Sequence, residues 1–167
     1  MTSRLILRPA GPDDIAFICA AQNDPDIERF VGSATAAEHL ENLRDANCAY
    51  YVCDDADGQP VGYAIFFGLQ GPHKSIELQR LAVTRRGVGI GGAMLSLIKR
   101  QVFEEFGANR LWLDVFPDNT PARKAYQRAG FAEEGTLREH YFWQGAYRSA
   151  IIMSILCGEY AAGSIGD

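Results

Sequence analysis

Ser75-Ile76-Glu77-Leu78-Gln79-Arg80-Leu81-Ala82-Val83-Thr84-Arg85-Arg86-Gly87-Val88-Gly89-Ile90-Gly91-Gly92 is where the chain changes periodicity. Residues 75–83 read as a strand. Beyond the glycines, Met94, Leu95, Ile98, Val102 and Phe106 recur at helical spacing until Gly107 stops the run. A strand that turns through glycines into a helix gathers backbone N–H groups at the positive end of the helix dipole, and anions bind there. Glycine lets the backbone approach phosphate oxygens closely, and Arg85 or Arg86 could add a charge-assisted contact. Residues 79–100 hold Arg80, Arg85, Arg86, Lys99 and Arg100 and no acid, a bias that suits a small polyphosphate.

Upstream, residues 5–9 read as a short strand ended by Pro9, and Gly11-Pro12-Asp13-Asp14 caps a helix with Ile15, Ile18 and Cys19 on one face. A second short helix is expected near residues 36–45. Residues 50–54 and 60–69 form two strands joined at Asp57-Gly58, a strong hairpin signal, and residues 75–83 complete the meander. Downstream, residues 110–116 alternate Leu111, Leu113 and Val115 inward as a strand. Thr120-Pro121 opens a helix that closes at Gly130, and two last strands, residues 131–143 and 147–156, pair across Gln144-Gly145. The expected order is β-α-α-β-β-β-α-β-α-β-β: an α/β (α+β) mixed sheet of about seven strands, mostly antiparallel, with helices on both faces.

The 167 residues fit one domain that buries roughly 70% of its unfolded surface without metal or disulfide staples. No apolar run approaches the ~20 residues of a membrane span, and residues 1–5 lack the apolar core of a signal peptide, so a cytoplasmic protein without a membrane partner is expected. A net charge of −5 argues against a nucleic-acid partner. Cys19, Cys48, Cys53 and Cys157 form no CxxC pair and have no partnered His spacing, so reduced, packed thiols are expected and no metal site.

Three readings compete for the glycine turn. It could be a tight turn with no ligand. Gly87-x-Gly89-x-x-Gly92 also fits a dinucleotide fingerprint with Asp114 as the ribose acid, but only one strand-helix-strand unit is present and the chain ends in a hairpin. A nucleotide-triphosphate loop would need a Lys-Ser/Thr pair after the glycines, which is absent. The third is a coenzyme A pyrophosphate site. Arg86-x-x-Gly89-x-Gly91, then Leu111-Trp112-Leu113-Asp114-Val115, Asn119, Ala122, Ala125-Tyr126, Gly130-Phe131, Glu134-Gly135 and Leu137-Arg138, resembles the GNAT superfamily of N-acetyltransferases over nearly the whole chain. The stretch from Leu111 to Arg138 is similar to the branch typified by ribosomal-protein N-terminal acetyltransferases, and the opening Arg4-Leu5-Ile6-Leu7-Arg8-Pro9 with Asp13-Asp14 resembles that branch's first strand and helix. Only Thr84 and Arg85 separate Val83 from Arg86, fewer residues than in many members.

The resemblance implies acetyl-CoA as donor, a GNAT-like sheet splayed at the coenzyme, and a single acetyltransferase domain over residues 1–160; residues 161–167 are small and polar and are expected to form a short flexible tail. It places the pantetheine arm along Leu81, Ala82 and Val83 as an added strand, with the Leu81 N–H polarising the thioester oxygen. It places the pyrophosphate on Arg85, Arg86, Gly87, Val88, Gly89, Ile90, Gly91 and Gly92, and Asn119 against the coenzyme arm. Tyr126 becomes the acid that protonates the leaving thiolate, and Glu77 the base that neutralises the attacking amine through water. The acceptor, a small-molecule or peptide amine, would meet Phe30, Glu77, Tyr141 and Trp143, where acids and aromatics suit a cation. A non-catalytic acyl-CoA-binding module is the alternative. A homodimer through a sheet edge or the aromatic hairpin is one assembly the sequence allows.

Overall fold

The computed structural model describes residues 4–86 and 89–163; Gly87 and Val88 of the expected cradle, and residues 164–167 of the expected tail, lie outside them. The strands are β1 (Ile6–Pro9), β2 (Cys48–Asp54), β3 (Pro60–Phe67), β4 (Ser75–Val83), β5 (Arg110–Val115), β6 (Ala132–Trp143) and β7 (Ala146–Leu156). They form one sheet in the order β1-β2-β3-β4-β5-β7-β6. Every neighbouring pair is antiparallel except β4 and β5. The helices are α1 (Ile15–Gln22), α2 (Pro25–Glu28), α3 (Ala36–Asn42), α4 (Ile90–Arg100), α5 (Thr120–Arg128) and α6 (Cys157–Gly163).

The expected spacing on α4 is what buries it. Ile90, Met94 and Ile98 pack with Phe66, Leu78, Leu111 and Met153 on one face of the sheet. The helix continues into a π turn, Gln101–Glu105, which carries Val102 and Phe103 into the same core. Ile15, Ile18 and Ala21 of α1 and Ile27 of α2 cover the other face over Tyr50, Val52, Tyr63 and Ile65. Helices therefore lie on both faces, as the pattern predicts. Cys48 and Cys53 are buried and unpaired, and burial pushes both thiols up to about 11. They are packed and unreactive.

Two elements depart from expectation. Asp24 caps a helical turn, Pro25–Glu28, by accepting from the Asp26 N–H; at four residues it is too short to show a period. The C-terminal segment forms α6 directly from the end of β7, so the expected boundary between residues 160 and 161 falls inside a helix. The Leu156 N–H donates to the Glu159 carboxylate at 2.9 Å and ties the α6 start down.

The feature that positions the site is a failure of pairing. β4 and β5 are in register only at Ser75, Ile76 and Glu77 against Arg110, Leu111 and Trp112. Immediately beyond, the β3–β4 register shifts so that Gln79 is an extra residue between Leu78 and Arg80. Such a bulge bends its strand and increases the local twist, here turning residues 78–83 away from β5. A groove opens between the two strands.

Candidate active site

One edge of the groove is the backbone of β4. The Thr84 N–H donates to the Val61 carbonyl at 2.9 Å, so Thr84 faces β3. Backbone groups alternate sides along a strand, which turns those of Ala82 toward β3 and those of Leu81 and Val83 into the groove. An edge with free donors and acceptors accepts an extended chain as an added strand. Two connected cavities occupy the groove. They share Phe30, Val31, Leu81, Asn119, Ala122 and Tyr126.

The first cavity, about 470 Å³, runs to the α4 N-terminus, where Leu81, Ala82, Val83, Arg85, Arg86, Gly89, Ile90 and Gly91 line it. Gly89 caps α4 at φ +74, a left-handed conformation that favours glycine. A Cβ at Gly89, Gly91 or Gly92 would meet no protein atom within 4 Å, so the space over the glycines is open. Gly92 itself is outside the lining. Both arginines are engaged. Arg85 pairs at 2.9 Å with the buried carboxylate of Asp55, which also accepts the Asp57 and Gln59 N–H groups. Arg86 pairs at 3.0 Å with Asp26 on α2 in an exposed ion pair that is readily exchanged for another anion.

The second cavity, about 260 Å³, is lined by Phe30, Val31 and Gly32 after α2, by Leu78, Gln79 and Arg80 on β4, by Asp114, Val115 and Phe116 on β5, and by Tyr141 and Trp143 on β6. The Tyr141 hydroxyl donates to Asp114 at 2.5 Å. Burial, followed by Asp114, raises the Tyr141 phenol well above the ordinary tyrosine range. Phe116 contacts Tyr141 and Trp143 edge-on at 5.8 and 5.4 Å. Arg148 stacks its guanidinium 3.8 Å from the Phe116 centroid and pairs with Asp118, so the aromatic wall is backed by a cation.

Tyr126, half-buried on α5, stands at the junction of the two cavities. Desolvation chiefly, and the Asp114 charge secondarily, raise its phenol far above the ordinary value, so it stays protonated. Among the described residues its hydroxyl has no hydrogen-bond partner. Asn119 caps α5 by accepting from the Ala122 N–H and also lines both cavities, so its two expected positions coincide. Glu77 is different. It lies half-buried in β4 opposite Trp112 and outside the cavity lining, with its carboxyl raised by burial first and by Asp114 second.

Two lining residues, Asp114 and Arg80, have no acceptor role in the sequence pattern. Asp114 figures there as a ribose acid and within the family stretch, although strand alternation opposite inward Leu113 and Val115 already turns it toward the other face. Arg80 was counted only in a basic run, and nothing local to it distinguishes a cavity from solvent.

The family model for the Acetyltransferase (GNAT) domain matches residues 4–132. The chain belongs to the GNAT acetyltransferase family. It is an acetyl-CoA-dependent N-acetyltransferase. Spermidine acetyltransferases are among the relatives that cover most of this GNAT chain. Spermidine N(1)-acetyltransferase of Vibrio cholerae is 28% identical over 168 residues, 96% of this chain and 97% of that protein. The enzyme of the same name from Escherichia coli K12 is 24% identical, covering 93% and 88%. Streptothricin acetyltransferase of Streptomyces lavendulae is 33% identical over 68% of this chain and 60% of that protein. The solved structure of the Vibrio cholerae spermidine N-acetyltransferase in complex with CoA and spermine superimposes with a TM-score of 0.85 at 24% identity, covering 94% of this chain and 98% of that one. The fold is the same. The Vibrio cholerae and Escherichia coli relatives, which span nearly the whole chain, are spermidine enzymes and not ribosomal-protein N-terminal acetyltransferases, which corrects the branch expected from the sequence. Of the residues that suggested the branch, Asn119, Ala122, Ala125 and Tyr126 line the larger cavity, and a shared fold and donor site do not fix the acceptor.

Proposed function

We propose that this enzyme acetylates the primary amine of a small molecule by direct attack within a ternary complex in the β4–β5 groove. The observation that carries this reading is the junction: Leu81, with its backbone turned into the groove, and Tyr126, with its hydroxyl unengaged, are shared by both cavities. A donor arm in the larger cavity and an amine in the smaller would meet there. The glycine-lined end fits the coenzyme's pyrophosphate, since the cradle is open where side chains would otherwise fill it and Arg86 is held only by an exposed pair.

Acetyl-CoA supplies a thioester carbonyl open to a neutral amine. The Leu81 N–H would donate to the carbonyl oxygen, where negative charge grows during attack. A lysine-like amine has a pKa of about 10.4 and must lose a proton first. Glu77 takes it through water, because its side chain stands off the cavity, and its raised pKa brings it closer to the operating pH. Tyr126 gives its proton to the leaving sulfur. Relatives named for spermidine support a small amine over a protein N-terminus.

The test is calorimetric titration with acetyl-CoA and, separately, NAD, followed by thiol release from acetyl-CoA across a panel of small amines and peptides. Acetyl-CoA binding without NAD binding, and thiol release with small amines above peptides, are expected. NAD binding alone would overturn the assigned roles, and peptide preference would overturn the acceptor class.

A further inference from the structure

We propose that Arg80 makes the acceptor a zwitterion, an amino-acid-like molecule with an anionic group close to its amine, and not a linear polycation. The proposal rests on the smaller cavity being the acceptor site. Arg80 lines that cavity, its guanidinium set against the backbone of Gly32 beside the Trp143 ring: a Cβ at Gly32 would lie 3.7 Å from Arg80 Nε and Nη2 and 3.8 Å from Trp143 Cη2. Among the described residues its one hydrogen bond is a long one, 3.3 Å from Nη2 to the Ser33 carbonyl.

Arg8, Arg85, Arg86, Arg110, Arg123 and Arg148 each pair with a carboxylate, whereas among the described residues Arg80, like Arg4, Arg29, Arg44, Arg100, Arg128 and Arg138, forms no ion pair. Of these unpaired arginines, Arg80 is the one that lines the acceptor cavity. Glu38, the neighbouring acid on α3, already accepts the Thr35 N–H and hydroxyl. The Trp143 indole N–H, in the same wall, is buried with no acceptor among the described residues. A guanidinium has five N–H donors, so this wall is rich in unmet donors and short of acceptors.

Across the cavity the polarity reverses. Asp114 faces it and Glu77 lies nearby, a pole for an ammonium group. A space of about 260 Å³ with a cation on one wall and a carboxylate on the other matches a small molecule carrying both charges. A carboxylate would meet Arg80 through charge-assisted hydrogen bonds. A linear polyamine would instead bring a second ammonium toward Arg80 in a partly desolvated site, where like charges repel strongly. The relatives' acceptor names therefore do not transfer.

The experiment measures thiol release from acetyl-CoA with matched pairs, L-leucine against isoamylamine and L-phenylalanine against phenethylamine, with spermidine alongside. In the unmodified enzyme the amino acids should exceed their decarboxylated partners in kcat/KM by tenfold or more, the effect of one hydrogen bond to a charged group. Arg80→Ala should collapse that ratio toward one through a raised KM for the amino acids, and Arg80→Lys should keep part of it. Because the first comparison needs no variant, misfolding of Arg80→Ala would not protect the idea. Spermidine as the best acceptor, or a ratio unchanged in Arg80→Ala, would overturn the zwitterion while leaving the acceptor site in place. Bound acetyl-CoA with no turnover of any amine would overturn the acceptor site and the proposal with it.

Discussion

The two ends of the groove are built in different ways. The glycine-lined end is framed by consecutive chain, the last residues of β4, the two arginines and the first turn of α4, with residues of α2 and α5 closing its sides. The acceptor end comes from the segment after α2, the middle of β4, the end of β5 and the far end of β6. One is a motif and the other an assembly. A motif fixes its chemistry wherever it occurs, whereas an assembly can change its specificity through any one of its walls. This matches the relatives, which share the family's donor chemistry under different acceptor names.

Tyr126 stands where the two ends meet, and it gives the largest expected effect. Tyr126→Phe keeps the ring that packs 5.7 Å from Phe131 and removes only the hydroxyl. If the hydroxyl is the acid, kcat falls by about 10² or more while acetyl-CoA affinity by calorimetry stays within about twofold. Equal losses in both would assign Tyr126 to the coenzyme wall and erase the division between the ends.

The same division explains what could be read from the chain. The seven strands and the α4 face were legible because alternation and helical spacing are local, and Asp57-Gly58 and Gln144-Gly145 announced their hairpins through residues that adopt positive φ. The glycine turn that leads β4 into α4 was legible for the same reason. What escaped depends on register. The Gln79 bulge that opens the groove is visible only once β3 is laid beside β4, and Glu77, expected at the amine, lies before the bulge where β4 is still paired with β5, outside the lining. Arg80 became distinct from the arginines around it only when every other wall was in place.

A smaller effect tests whether the cradle is as local as it looks. Gly89 sits at φ +74 with open space above it, so Gly89→Val is strained in the turn and puts methyl groups where phosphate oxygens would lie. Acetyl-CoA should bind about tenfold more weakly, roughly 1.4 kcal/mol. Gly92→Ala, inside α4 and off the cavity lining, should leave the affinity alone, with a gain in helix propensity of up to ~1 kcal/mol. Comparable losses from the two substitutions would mean the cradle reaches further along the helix than the groove suggests.

The smallest effect concerns Glu77, the residue that belongs to neither end. Burial and then Asp114 raise its carboxyl above the ordinary value of 4.5, so the folded state holds this proton more tightly than the unfolded state does. Its contribution to stability is therefore fully present below about pH 4.5, where both states are protonated, and is lost as pH rises through the folded-state value. Glu77→Gln keeps the shape and removes the titration. The variant should melt with the parent at pH 4 and a degree or two above it at pH 8, a modest difference because the side chain is only half-buried. The same variant should lose the acid limb of its kcat/KM profile if Glu77 is the base. A stability gain without a kinetic change would leave Glu77 as a desolvated strand residue and pass the role of base to Asp114, the carboxylate that the acceptor cavity already contains.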